Sequence, residues 1–173
     1  STTWIKPVMI LDENQIKYPH DVNLEQMVLG HLFIDNSHFF KVVSFLKAEH
    51  FFEPVHQRIY AAFSIKAGDG QVTPMTLKAQ FDQDPALKDL AGGKYLGALM
   101  SMAIMPIDIG GLAVQVAELS RRRDLIDLGI DVLRQAQDLT LDKDVSTITS
   151  ELISGSLNVL SDTKTSHFQN GLQ

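Results

Sequence analysis

Apolar residues recur along this chain at intervals of three and four, the spacing that lines one face of an α-helix. From Asn23, the positions Leu24, Met27, Val28 and Leu32 predict a first helix. Asn23 is its expected N-cap, with Gln26 three residues on as in a capping box. Asp35-Asn36-Ser37 predicts a turn and a fresh cap, and a second helix then carries Phe39, Val42, Val43 and Leu46. Pro54 suits the first turn of a third helix, where its missing N–H costs nothing. Val55, Ile59, Ala62 and Phe63 give that helix one apolar face, and Gly68-Asp69-Gly70 stops it. Thr73-Pro74 restarts a helix with Leu77 and Phe81 stacked at i, i+4, and Asp84-Pro85 breaks it. Gly92-Gly93 opens a short helix bearing Tyr95, Leu96, Leu99 and Met100, and Pro106 marks the next boundary.

From about Ile109 to about Leu139 the pattern is helical almost throughout. Leu112, Val116, Leu119, Ile126, Ile130 and Leu133 fall close to a heptad seam. Arg123 interrupts it, which predicts a bend or a change of packing partner near Arg121–Arg123. After the polar turn Thr140–Asp144, a last helix carries Val145, Ile148, Leu152 and Val159. Two helices joined by so short a turn form an antiparallel hairpin. No segment has a convincing strand pattern. The expected fold is all-α: a small multi-helix head over residues 20–119, then a helical hairpin over 120–160. Residues 1–19, interrupted by Pro7 and Pro19, read as a flexible lead-in. Residues 161–173, rich in Ser, Thr, Asn, Gln and Gly, read as the start of a linker or a disordered tail.

Composition narrows the function classes. With 173 residues and 45% hydrophobic positions, the chain can build one ordinary core. Aromatics are mostly Phe, which suits packing more than exposed stacking. Cysteine is absent, which excludes disulfides, thiolate metal sites and a cysteine nucleophile. No apolar run is long enough to span a bilayer, and Ser1-Thr2-Thr3-Trp4 lacks the basic-then-apolar order of a secretory signal. A cytoplasmic setting is expected. The net charge of -6 opposes stand-alone binding of nucleic acid, whose affinity rests on Lys and Arg.

The chemistry of bond-making is missing from the sequence. No G-x-x-x-x-G-K-[ST] cradle is present; Gly92-Gly93-Lys94 lacks the upstream Gly and the following Ser or Thr. The six histidines (His20, His31, His38, His50, His56 and His167) show no metal-ligand spacing. His31 and His56 read as packed, hydrogen-bonded side chains. No G-x-S-x-G elbow occurs, and Asp82 and Asp84 flank a proline turn as caps or solvated charges. Catalytic, cofactor-binding and metal residues are therefore all expected to be none. Arg121-Arg122-Arg123 is the dense basic cluster. Consecutive helical positions diverge, so a solvated face paired with Glu118, Asp124 or Asp127, or a protein contact, is favoured over DNA.

Several segments in one order carry a resemblance. Asn23-Leu24-Glu25-Gln26-Met27-Val28-Leu29-Gly30, Phe51–Tyr60 with its His56, Val72-Thr73 with Thr76-Leu77, Gly92-Gly93-Lys94-Tyr95-Leu96, Pro106 and Arg122-Arg123-Asp124-Leu125-Ile126 together resemble the N-terminal domain of DnaB-type replicative helicases. The chain departs from it between Pro106 and Leu112, and at Ser154-Gly155-Ser156, where Gly inside a helix costs ~1 kcal/mol. The resemblance implies a collar domain that pairs with itself, from dimer to hexamer, and docks primase and, in some systems, a helicase loader. It implies DNA contact only through the full-length helicase, and ATP and Mg only in a motor domain missing here. The chain is expected to be a truncated form. A stand-alone phage or plasmid adaptor of the same fold, and a helix-turn-helix DNA binder, are the alternatives. The expected interface residues are Arg122, Arg123, Ile126, Ile130, Leu133, Ile148 and Leu152. The seam is either the hairpin's own core or a self-association surface.

Overall fold

A computed structural model describes residues 12–170 apart from Ile104 and Pro106, with side chains described as far as Ser161. Pro7 and the first eleven residues of the lead-in, the boundary at Pro106, and the last three residues of the expected tail lie outside the described residues. Within them the fold is all-helical: α1 (Val22–Ile34), α2 (Ser37–Val42), α3 (Pro54–Lys66), α4 (Pro74–Asp82), α5 (Lys94–Met102), α6 (Ile109–Gln137) and α7 (Val145–Asn170).

Helix α1 is the centre of the head, packed on α2, α3, α5 and α6. It starts earlier than expected. Asp21, not Asn23, is the N-cap and accepts from the Leu24 amide at 3.0 Å. A carboxylate at a helix N-terminus adds charge complementarity to the capping bond. Gln26 is not a capping-box partner: its side chain reaches Tyr95. Leu24, Val28, Leu29, Leu32 and Phe33 are all buried. Gly30 sits where α1 crosses α5. A Cβ there would stand 2.1 Å from the Leu99 carbonyl oxygen, so the crossing needs glycine.

Helix α2 ends at Val42, and Val43 is exposed. In the expected Asp35-Asn36-Ser37 turn, Asp35 accepts from the Ser37 amide at 2.9 Å, while Asn36, at the N-cap, makes no capping bond. Its amide instead donates to Leu32 O and Val72 O, both at 2.9 Å, and its oxygen accepts from Val72 N. That side chain ties the strand-less stretch before α4 to the end of α1. Pro54 opens α3 and Thr73-Pro74 opens α4, the latter with Thr73 and Thr76 bonded reciprocally. Phe33, Phe39, Phe51, Tyr60 and Phe63 form an aromatic core, with Phe39 and Phe33 each 5.5 Å from Phe63. Arg58 donates twice to Asp84, at 2.7 and 2.8 Å, and these bonds hold the carboxyl below its ordinary range. Asp82 accepts from Gly93 N at 2.7 Å, ahead of α5. Gly92 has φ +57°, and a Cβ at Gly93 would meet Lys78 Cγ at 2.7 Å. The glycine pair is thus a helix-opening turn.

Helix α6 is continuous from Ile109 through Arg121–Arg123 to Gln137. Its packing partner is what changes. Ile109, Leu112, Ala113, Val116 and Ala117 are buried in the head, and beyond Arg121 no residue of α6 is fully buried. Head and hairpin therefore share one helix across the expected boundary at 119. Helix α7 returns along α6 and continues past residue 160 to Asn170. Ser, Thr, Asn and Gln disfavour a helix only mildly, and no proline interrupts 145–170. Among the described residues no helix is long and apolar enough to cross a membrane.

Candidate docking surface

The motif residues converge first on a buried polar network, not on a reactive site. Glu25 and His56 are almost fully buried. The Glu25 carboxyl accepts from Phe52 N at 2.5 Å, Glu53 N at 3.3 Å and His56 Nδ1 at 2.6 Å. His56 Nε2 lies 2.8 Å from the Tyr95 hydroxyl, which also accepts from Gln26 Nε2 at 3.0 Å. In the neutral ring tautomer with Nδ1 donating to Glu25, Nε2 would accept from Tyr95. Burial raises the Tyr95 hydroxyl above its ordinary range. The network joins α1, the turn before α3, α3 itself and α5, and its polar atoms are used on one another. Among the described residues no three His, Asp or Glu side chains gather to hold a metal ion.

His31 differs from His56. It is buried, but its Nε2 has no hydrogen-bond partner among the described residues. Burial, ahead of the nearby His38, lowers it below its ordinary value of 6.5. It lines a cavity of about 560 Å³ with Ile34, Asp35, His38, Met105 and Asp108.

The three arginines separate as helix geometry requires. Arg121 is buried, and Arg122 is exposed, 3.5 Å from Glu118. Arg123 turns back into the head. It donates to Pro19 O and His50 O, both at 2.8 Å, and its Cζ lies 5.4 Å from the Phe52 ring centre. His20 stacks on that ring at 3.9 Å. Burial lowers the Arg123 guanidinium, opposed by Glu25, Asp124 and Asp127. Arg123 therefore pins the lead-in and the His50–Phe52 turn to α6, and the cluster is not one basic face.

The hydrophobic positions of the hairpin fall on distinct faces. Leu128 and Val132, four apart, face α7. A Cβ at Gly155 would lie 2.7 Å from Leu128 Cδ1, and Val132, Gln135, Leu139, Val145 and Ile148 line one groove of about 390 Å³. Residues two apart on a helix do not share a face. Ile126 and Ile130 are each offset by two from this set, so they turn away from α7, with Leu133 on the same side. Ile126 and Ile130 are half-buried and Leu133 is 37% exposed. Ile148 and Leu152 are half-buried on the inner side of α7. The seven expected interface residues thus divide: Ile126, Ile130 and Leu133 form an outer stripe, Ile148 and Leu152 belong to the hairpin's interior, Arg122 is in solvent and Arg123 is in the head.

A second outer stripe was missed from sequence. Ile153, Leu157 and Leu160 are 56%, 59% and 54% exposed on α7. Their i, i+4, i+7 spacing was available, but two apolar stripes on one helix cannot be ranked by pattern alone. The end of the lead-in was missed too. Arg134 Nε donates to Glu13 at 2.8 Å, and Tyr18 donates its hydroxyl to Asp127, so residues 13–18 lie along α6.

The model of the DnaB-like helicase N terminal domain matches residues 17–118, the head and the start of α6. A replicative DNA helicase DnaB of Rickettsia felis is 36% identical over 128 residues, 72% of this chain and 25% of the relative. One of Mycobacterium leprae is 30% identical over 117 residues, 67% of this chain and 19% of the relative. The chain thus spans about a quarter of the length of these curated relatives. The crystal structure of the N-terminal domain of DnaB helicase from Mycobacterium tuberculosis is similar with a TM-score of 0.70 at 26% identity, covering 83% of this chain and 99% of that one. A DnaB-like replicative helicase, whose structure was described with its interactions with primase, shares the fold at a TM-score of 0.62 and 20% identity, over 80% of this chain and 31% of that one. Matched by its family model over more than half its length, the chain belongs to the DnaB-like helicase N-terminal domain family.

Proposed function

We propose that this chain is the collar domain of a hexameric replicative helicase, working in the cytoplasm by self-association and by docking primase. The observation that carries it is the hairpin: Ile126, Ile130 and Leu133 on α6 and Ile153, Leu157 and Leu160 on α7 are apolar stripes that the chain's own packing leaves uncovered or half-covered. Exposed and half-exposed apolar stripes of this kind favour association. The primase role draws support from the likeness to a helicase described with primase; a helicase loader is a further candidate partner that the family resemblance alone suggests. The mechanism is binding energy and geometry. ATP and Mg would act in the motor region of a full-length protein, and DNA contact would follow from that region. Sedimentation equilibrium over a wide concentration range tests the reading. The chain should run as a dimer or larger, and Ile130→Asp should lower the mass while the helical circular-dichroism signal persists. An unchanged mass with Ile130→Asp would remove the α6 stripe as the interface.

A further inference from the structure

One residue of the outer stripe of α6, Ile130, shares its helix face with two anchors of the lead-in. Glu13 pairs with Arg134 and Tyr18 bonds Asp127. Ile130 lies three residues after Asp127 and four before Arg134, so the three share one face of α6. Asp127 and Arg134 stand about 10 Å apart along the helix axis. The five steps from Glu13 to Tyr18 begin with a tight 3-10 turn over Glu13–Gln15, and the remainder of the segment easily spans that distance. A segment held at both anchors passes beside Ile130. Ile16, the apolar residue between them, is half-buried, as are Ile126 and Ile130. The described contacts of α7 fall on the Leu128–Val132 side, away from the face that carries Asp127, Ile130 and Arg134. Further on, Pro19 O is held by Arg123 at 2.8 Å, so the segment is tied at three points along one helix.

We propose that residues 12–18 form a displaceable strap beside Ile130 of the α6 stripe, hinged where Arg123 holds Pro19, and that a second copy's hairpin must displace it to pack there. This rests on the reading of the stripe as a self-association surface. The nature of the anchors makes the strap displaceable. Glu13, Arg134 and Asp127 are exposed, and exposed pairs hold a segment weakly. The competing partner offers apolar contact along Ile126, Ile130 and Leu133 that Ile16, the one large aliphatic side chain between the anchors, does not match. Residues 12–18 also include Lys17, exposed between the anchors, which makes strap release visible to trypsin.

The experiment uses the full chain with Glu13→Ala and Tyr18→Phe together, which remove the two exposed anchors and leave the Pro19–Arg123 hinge and α6 in place. Cleavage after Lys17 by trypsin should quicken, and the dissociation constant for self-association should fall roughly three- to tenfold, the effect that losing exposed hydrogen-bonded pairs can produce. Unchanged cleavage would overturn the anchoring. Faster cleavage with weaker or unchanged association would overturn the competition and make the strap part of the interface or a bystander. Ile130→Asp, in both the original chain and the strap variant, separates the two ideas. If it lowers the mass of the original chain while strap release tightens nothing, the stripe stands and the strap proposal fails. If it leaves the strap variant's mass unchanged, the stripe itself fails.

Discussion

Glu25 is an acidic residue in the first turn of α1 and a polar hub in the fold. Its carboxyl serves two backbone amides and His56, so removing it orphans several buried donors at once. Glu25→Ala should lower stability by roughly 2–4 kcal/mol, between the cost of one unsatisfied buried donor and that of a broken buried pair. The midpoint and slope of urea unfolding report it. His31 makes a prediction about pH. Burial holds it below 6.5, its ordinary value. Below that pH the unfolded chain takes up a proton that the folded chain refuses, so stability rises with pH across the window. The stability is full above about 6.5 and is lost as pH falls toward the lowered folded value. His31→Leu should flatten the fall of the urea midpoint between about pH 7 and 5 relative to the unsubstituted chain. An equally steep fall would assign the acid limb to other groups. Neither role was legible in sequence. A histidine on an apolar face reads the same whether both ring nitrogens are bonded, as in His56, or one has no partner among the described residues, as in His31.

Helix ends were legible wherever local chemistry decides them. Pro54, Thr73-Pro74, Asp84-Pro85 and Gly92-Gly93 each act where the pattern put them, because proline geometry, capping bonds and positive φ depend on a few neighbouring residues. Asn23 did not cap as expected, since Asp21 offered an earlier cap, and Asn36, at the N-cap of α2, is engaged by Val72, far away in sequence. Glycines inside elements are a sharper case. At Gly30 an added Cβ meets the backbone carbonyl of Leu99, which cannot move without shifting α5. At Gly155 it meets the end of the flexible Leu128 side chain. Gly30→Ala should therefore cost about 3 kcal/mol, at the upper end for overpacking. Gly155→Ala should be near neutral, because up to ~1 kcal/mol of helix propensity offsets the repacking of Leu128. Thermal unfolding of the two variants side by side checks the contrast. Equal losses would mean that the α6–α7 contact is as rigid as the α1–α5 crossing.

At the scale of the whole molecule, head and hairpin share α6. Its first turns are core and its later turns carry surface stripes, which explains why one heptad-like seam runs through two environments. The seam passes from Leu112 and Val116, buried in the head, to Ile130 and Leu133, turned away from α7. Self-association at that surface is the expectation that sedimentation of Ile130→Asp tests. The strap variant tests whether the lead-in competes for it.

By itself the sequence determined the all-α class, the order of the helices, most of their ends and the family. Those properties follow from periodicity, from caps and prolines acting over three or four residues, and from motifs whose order is carried along the chain. Only the tertiary structure decided how each face is used. Which side of α6 meets α7, where Arg123 is spent, what Asn36 holds, and what lies along Ile130 all depend on partners tens of residues away or more. A helical pattern states that a residue is apolar or charged and on which side of its own helix. The packing of neighbours sets whether that side is core, hairpin seam or docking surface.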